Sequence, residues 1–136
     1  MPPAVGYSLA FPRALARANK KIVLASGALA LVNATAEEVL WRGAYKAVFP
    51  NRLVLGYLYP TVGFALSHYA PQSVFPSRYP GGASSFVLSA GLFGLLWGRV
   101  AFRSGSVGLT IPSHALLDFS GLGARVYFED NGSEGS

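Results

Sequence analysis

The sequence predicts an all-α protein, a multi-pass membrane helix bundle of about four transmembrane helices, and three observations carry that expectation. Of the 136 residues, 51% are hydrophobic and only 12% are charged, about half the charged share of an ordinary soluble domain. Four apolar stretches, Ile22 to Phe49, Leu53 to Ala70, Ser84 to Phe102 and Ser106 to Phe128, each approach the ~20 residues that a helix needs to cross a bilayer. Turn-forming residues, not further apolar runs, separate them.

Residues 1–21 carry Arg13, Arg17, Lys20 and Lys21 ahead of the first apolar run and read as a basic interfacial segment. Ile22 to Phe49 is the first expected helix. Its beginning imitates a secretory signal, with basic residues, an apolar run and the triplet Ala34-Thr35-Ala36 as a cleavage site. Cleavage there would remove most of a helix whose next residues belong to the constellation described below. Pro50-Asn51-Arg52 ends the first helix, and Leu53 to Ala70 forms the second. The separator Pro71 to Gly82 contains Pro71, Pro76, Pro80, Gly81 and Gly82. In the third stretch Gly91, Gly94 and Gly98 allow close helix approach, while Trp41, Trp97 and the tyrosines suit interface anchoring or packing. Arg103-Ser104-Gly105 leads to the fourth stretch, and residues 129–136 form an acidic, polar tail expected to be disordered. The expected transmembrane core is therefore 22–128.

The formal net charge is +5, but the basic residues stand singly or in pairs without a patch of interleaved aromatics, which argues against nucleic acid. Membrane lipid is the expected partner. Arg13, Arg17, Lys20, Lys21, Arg78 and Arg125 fall on one side of such a bundle, against Lys46, Arg52, Arg99 and Arg103 on the other. That asymmetry predicts an integral membrane protein with a cytoplasmic N-terminus. The chain has no cysteine, so any metal would need His and carboxylate ligands.

The ionisable residues are unusually placed. Three of the six acids lie in the tail; the other three, Glu37, Glu38 and Asp118, and both histidines, His68 and His114, lie inside apolar stretches. Such groups at membrane depth are costly, and they turn inward to be paired or functional. Glu38 and Arg42 are four apart and share a helix face with the acid first, the preferred order for an ion pair. Glu37 lies about 100° further round. Phe64 with His68, and His114 with Asp118, also stand four apart on their helices. At ~1.5 Å per residue, Glu37 is about 20 Å and His68 about 25 Å from the Pro50-Asn51 turn, and His114 about 14 Å from Gly105. All three depths fall inside a ~30 Å hydrocarbon core, so convergence on one site is expected.

Three motifs carry a resemblance: Glu37-Glu38-Val39-Leu40-Trp41-Arg42, Phe64-Ala65-Leu66-Ser67-His68 and His114-Ala115-Leu116-Leu117-Asp118. In order and spacing they resemble the Glu-Glu-x-x-x-Arg, Phe-x-x-x-His and His-x-x-x-Asp/Asn motifs of the CPBP intramembrane endopeptidases, which include type 2 CAAX prenyl proteases and Abi proteins. Gly43 and the Gly94 to Gly98 run also fit. The resemblance spans Ala34 to Asp118. It implies hydrolysis of a peptide bond in a membrane-associated substrate, a prenylated one among the candidates, by water activated by Glu37 with His68. It further implies that His114 and Asp118 polarise the scissile carbonyl, that Glu38 and Arg42 hold the site or engage substrate, and that Phe64 packs it. Asn is commoner than Asp at the last position. Family members commonly have further helices upstream, so the expectation is a minimal core, completed by such helices or by another copy.

Two other functions fit the same residues. A metal-dependent membrane protease would use Glu37, His68 and His114 as ligands, zinc being the candidate, although no His-Glu-x-x-His is present. A non-catalytic immunity or scaffold protein would use the motif residues to hold the bundle together. The resemblance implies a metal-free, cofactor-free enzyme, and the intact Glu37, His68 and His114 set agrees with catalysis.

Overall fold

The computed structural model describes residues 12, 15–16, 18–74, 76 and 81–126, with side chains to residue 121. All regular structure among them is helical. Helix α1 runs over Lys20–Val48, α-helical through Lys20–Glu38, π-helical through Val39–Ala44 and α-helical again through Tyr45–Val48. Helix α2 joins a π turn, Val54–Leu58, to an α-helix, Tyr59–Ser67. The short α3 is Tyr69–Val74, α4 is Gly82–Ser104 and α5 is Thr110–Val126. The expected tail 129–136, most of segment 1–21 with Arg13 and Arg17, Arg78, Pro80 and the Arg125 side chain lie outside the described residues.

Two helices, Lys20–Val48 and Gly82–Ser104, are long and apolar enough to cross a membrane. Their burial runs opposite to that of a soluble helix. On α1 the buried positions are Ser26, Ala30, Ala34, Glu38 and Arg42, spaced by four, while Leu24, Leu29, Leu31, Val32, Val39 and Leu40 are exposed. Small and charged groups turned inward with leucine turned outward is the pattern that lipid, not water, rewards.

Several expected boundaries move, each for a local reason. The second stretch does not continue unbroken to Ala70: α2 closes at His68, whose N–H donates to the carbonyls of Ala65 and Leu66. The separator from Pro71 contains helix α3, because a proline is tolerated in the first turn of a helix, where its missing N–H has no partner to lose. The last helix begins at Thr110, not Ser106. Ser104 and Ser106 take the backbone instead, with Ser106 N–H on Ser104 Oγ (3.2 Å) and Gly108 N–H on Ser106 Oγ (3.0 Å), the usual competition of serine with helical hydrogen bonding. Gly105, at φ 70°, ends α4 with its N–H on the Ala101 carbonyl at 2.9 Å, a left-handed position that suits glycine. The π turn of α2 stands just before Pro60. A proline ring would press on the carbonyl of Gly56 in a regular helix, and a wider turn gives it room.

The chain divides into two compact units, Met1–Thr35 with Ile111–Ser136, and Ala36–Thr110. The second holds the end of α1 together with α2, α3 and α4. Its closeness depends on glycine: a Cβ on Gly98 would sit 2.8 Å from the Tyr57 ring, one on Gly94 3.0 Å from Phe64, and one on Gly91 3.4 Å from Ala65. The three glycines thus do what their spacing suggested. Across the same contact Tyr57 Oη donates to the Leu95 carbonyl at 2.9 Å.

Candidate active site

In the 36–110 unit the charged centre is built on the π turn of α1. Glu38 ends the preceding α-helix and is fully buried, Arg42 is 3% exposed, and Arg42 Nη1 lies 3.0 Å from Glu38 Oε1. This is the ion pair that the spacing of four predicts. Bare glycine at 94 opens the space beside it, since a Cβ there would stand 3.2 Å from Arg42 Nη2. The guanidinium lies over the Phe64 ring at 4.0 Å and 5.8 Å from that of Trp97. A cation taken out of water is stabilised by such faces, most strongly where it is desolvated.

Phe64 carries the arrangement onward. Its ring meets His68 edge-on at 4.7 Å and Trp97 at 6.4 Å, so Arg42, Phe64 and His68 form one continuous chain of contacts. His68 is the C-cap of α2, half-buried, with Nδ1 2.7 Å from the Phe64 carbonyl. A carbonyl only accepts, so Nδ1 carries the proton and Nε2 presents its lone pair. Glu37, on the adjoining face of α1, is half-buried with one carboxylate oxygen shielded from solvent. The Glu-Glu-x-x-x-Arg and Phe-x-x-x-His motifs therefore meet at Phe64.

The His-x-x-x-Asp motif is organised in the other unit. His114 is 2% exposed, and its Nε2 lies 3.5 Å from Asp118 Oδ1. The second oxygen, Asp118 Oδ2, accepts from Asn33 Nδ2 at 3.0 Å. Both oxygens of Asp118 thus face a side-chain nitrogen, one of them the Asn33 amide donor. Within neither unit do three His, Asp or Glu side chains gather to hold a metal ion, among the described residues.

Two participants, Asn33 and Thr61, escaped the sequence reading. Asn33 is the amide in an otherwise apolar stretch, four residues before Glu37, and that isolation was its signal. Trp97, 4% exposed and stacked on Phe93 at 5.3 Å, takes the packing role of the two that the sequence allowed it. Thr61, buried with Oγ1 on the Tyr57 carbonyl at 2.8 Å and beside Gly94, carried no signal in sequence.

The family model described as Rce1-like, type II CAAX prenyl endopeptidase Rce1-like, matches residues 19–120. No curated protein and no solved structure matches the chain.

Proposed function

The chain belongs to the Rce1-like family of type II CAAX prenyl endopeptidases, and from that membership we propose an intramembrane endopeptidase that cleaves a membrane-associated peptide with water activated by Glu37 and His68. The observation that carries the proposal is the chain of contacts Arg42–Phe64–His68, which joins two of the three motifs. Glu37 takes a proton from water as the water oxygen bonds to the scissile carbonyl carbon. His68 Nε2 accepts the other water proton as a hydrogen bond and so aims the nucleophile. His114 acts in this step as the imidazolium, its Nε2–H directed to Asp118 and its Nδ1–H donated to the developing oxyanion. Glu37 then returns the proton to the leaving amine as the C–N bond breaks.

We further propose a multi-pass integral membrane protein with a cytoplasmic N-terminus, supported by the outward leucines of α1 and by the basic Lys20 and Lys21 at its start. The substrate proposed is a lipidated C-terminal peptide, which partitions into the bilayer where the site lies.

The test is hydrolysis of a fluorogenic farnesylated CAAX peptide, and of its unlipidated counterpart, by the full chain in liposomes. Cleavage of the lipidated peptide is expected, with Glu37→Gln lowering the rate by about 10² to 10⁴. Chelators should leave the rate unchanged. Activity lost on chelation and restored by zinc would move the case to a metalloprotease, and failure to cleave either peptide would refute the proposal.

A further inference from the structure

We propose that Asn33 is a positioning residue for His114, acting through Asp118; this rests on the proposed reaction, in which His114 donates to the oxyanion. A carboxylate can swing about its terminal bond, and a single contact to an imidazole leaves that rotation open. Here both oxygens are engaged, Oδ2 by Asn33 Nδ2 at 3.0 Å and Oδ1 facing His114 Nε2 at 3.5 Å. Gripping one oxygen aims the other. The aim decides which ring nitrogen of His114 holds its proton toward Asp118 and which is turned to the substrate.

The chemical type of the grip matters as much as its position. A Lys or Arg at 33 would hold Asp118 equally well, but it would neutralise the carboxylate and weaken its support for a charged imidazolium. A neutral amide donor orients Asp118 and leaves its charge to His114. Asn33 is also costly to place in an apolar helix without a partner, so the bond is a built feature of α1. A simple staple between α1 and α5 would account for the bond alone. It would not require that the state of the His114 ring depend on Asn33, and this separates the two.

The experiment uses the full chain in detergent micelles with ¹⁵N-labelled histidine. There are only two histidines, and His68→Gln identifies the signals that belong to His114. In the wild type the neutral His114 ring should carry its proton on Nε2. Asn33→Leu and Asn33→Ala, the second removing the donor without added bulk, should give a mixture of both tautomers. In an Asp118→Ala background the same Asn33 changes should have no further effect on the ring. In the peptide assay, kcat should fall about 10- to 100-fold with KM held within about twofold, the scale of a misplaced catalytic group. An unchanged tautomer in both Asn33 variants, or an Asn33 effect that persists without Asp118, overturns the inference. If the wild-type chain cleaves no peptide, the proposed function fails, while the tautomer measurement still decides the role of Asn33.

Discussion

Two residue pairs, each four apart on a helix, look alike in sequence and differ in what surrounds them. Glu38 and Arg42 are both buried, with the Arg42 guanidinium against Phe64 and Trp97, so removing one partner leaves an uncompensated charge. Arg42→Gln or Glu38→Leu alone should destabilise the fold by about 3 to 5 kcal/mol, measured as loss of folded protein on heating in detergent. Replacing both, as Glu38→Leu with Arg42→Met, should recover much of that stability. Recovered folding with activity still absent would assign the pair to substrate, and recovery of both to architecture. His114 and Asp118 carry a different test. Both Asp118 oxygens face side-chain nitrogens, and in the proposed reaction Asp118 is the acceptor that supports the imidazolium. Asp118→Ala should therefore cost one or more powers of ten in rate, the scale of a lost oxyanion donor. Asp118→Asn should be nearly as poor, since an amide carries no charge for the imidazolium. A fully active Asn variant would mean that position 118 itself donates to the oxyanion.

At the scale of the element, the π turn that opens α2 tolerates least. A Cβ on Gly56 would stand 2.4 Å from the Phe49 carbonyl oxygen and 3.1 Å from the Phe102 ring. The first neighbour is backbone and cannot rotate away. Gly56→Ala is thus expected to cost about 1 to 3 kcal/mol as an overpacking change, whereas alanine at Gly82, with nothing within 4 Å of its Cβ but φ at 62°, should suffer only its backbone strain, about 1 kcal/mol. Comparing the two variants by thermal unfolding checks the ranking; equal losses would refute it. The π turns belong to this scale too. One precedes Pro60, and the other carries Arg42, so irregular turns fall where a helix must house a proline or a buried charge.

For the whole molecule, the proposed arrangement puts residues 50–52 and 105–109 on the side of the membrane opposite Lys20 and α3. The absence of cysteine makes this directly measurable. Single changes Asn51→Cys and Ser106→Cys should react with an impermeant thiol reagent from outside the cell, and Lys20→Cys and Ser73→Cys only after permeabilisation. Labelling of all four from one side would refute the multi-pass topology.

Much of this was legible in the chain itself. Helical class, the approximate helix limits, the Glu38–Arg42 pairing and the adjacency of His114 and Asp118 follow from local periodicity, because residues four apart share a face in any helix. Family membership was legible for the same reason, since the motifs are short and each lies on one helix. What only the tertiary structure decided are contacts between residues far apart in sequence. The Arg42–Phe64–Trp97 cluster unites positions from three helices, and Asn33 reaches Asp118 across 85 residues. No spacing rule encodes such pairs, because their register depends on how close glycine lets two helices come and where a π turn or a capping serine shifts the frame. The boundaries at His68 and Thr110 moved for a local reason instead: a carbonyl or hydroxyl nearby outcompeted the continuing helix, a contest that hydropathy does not record.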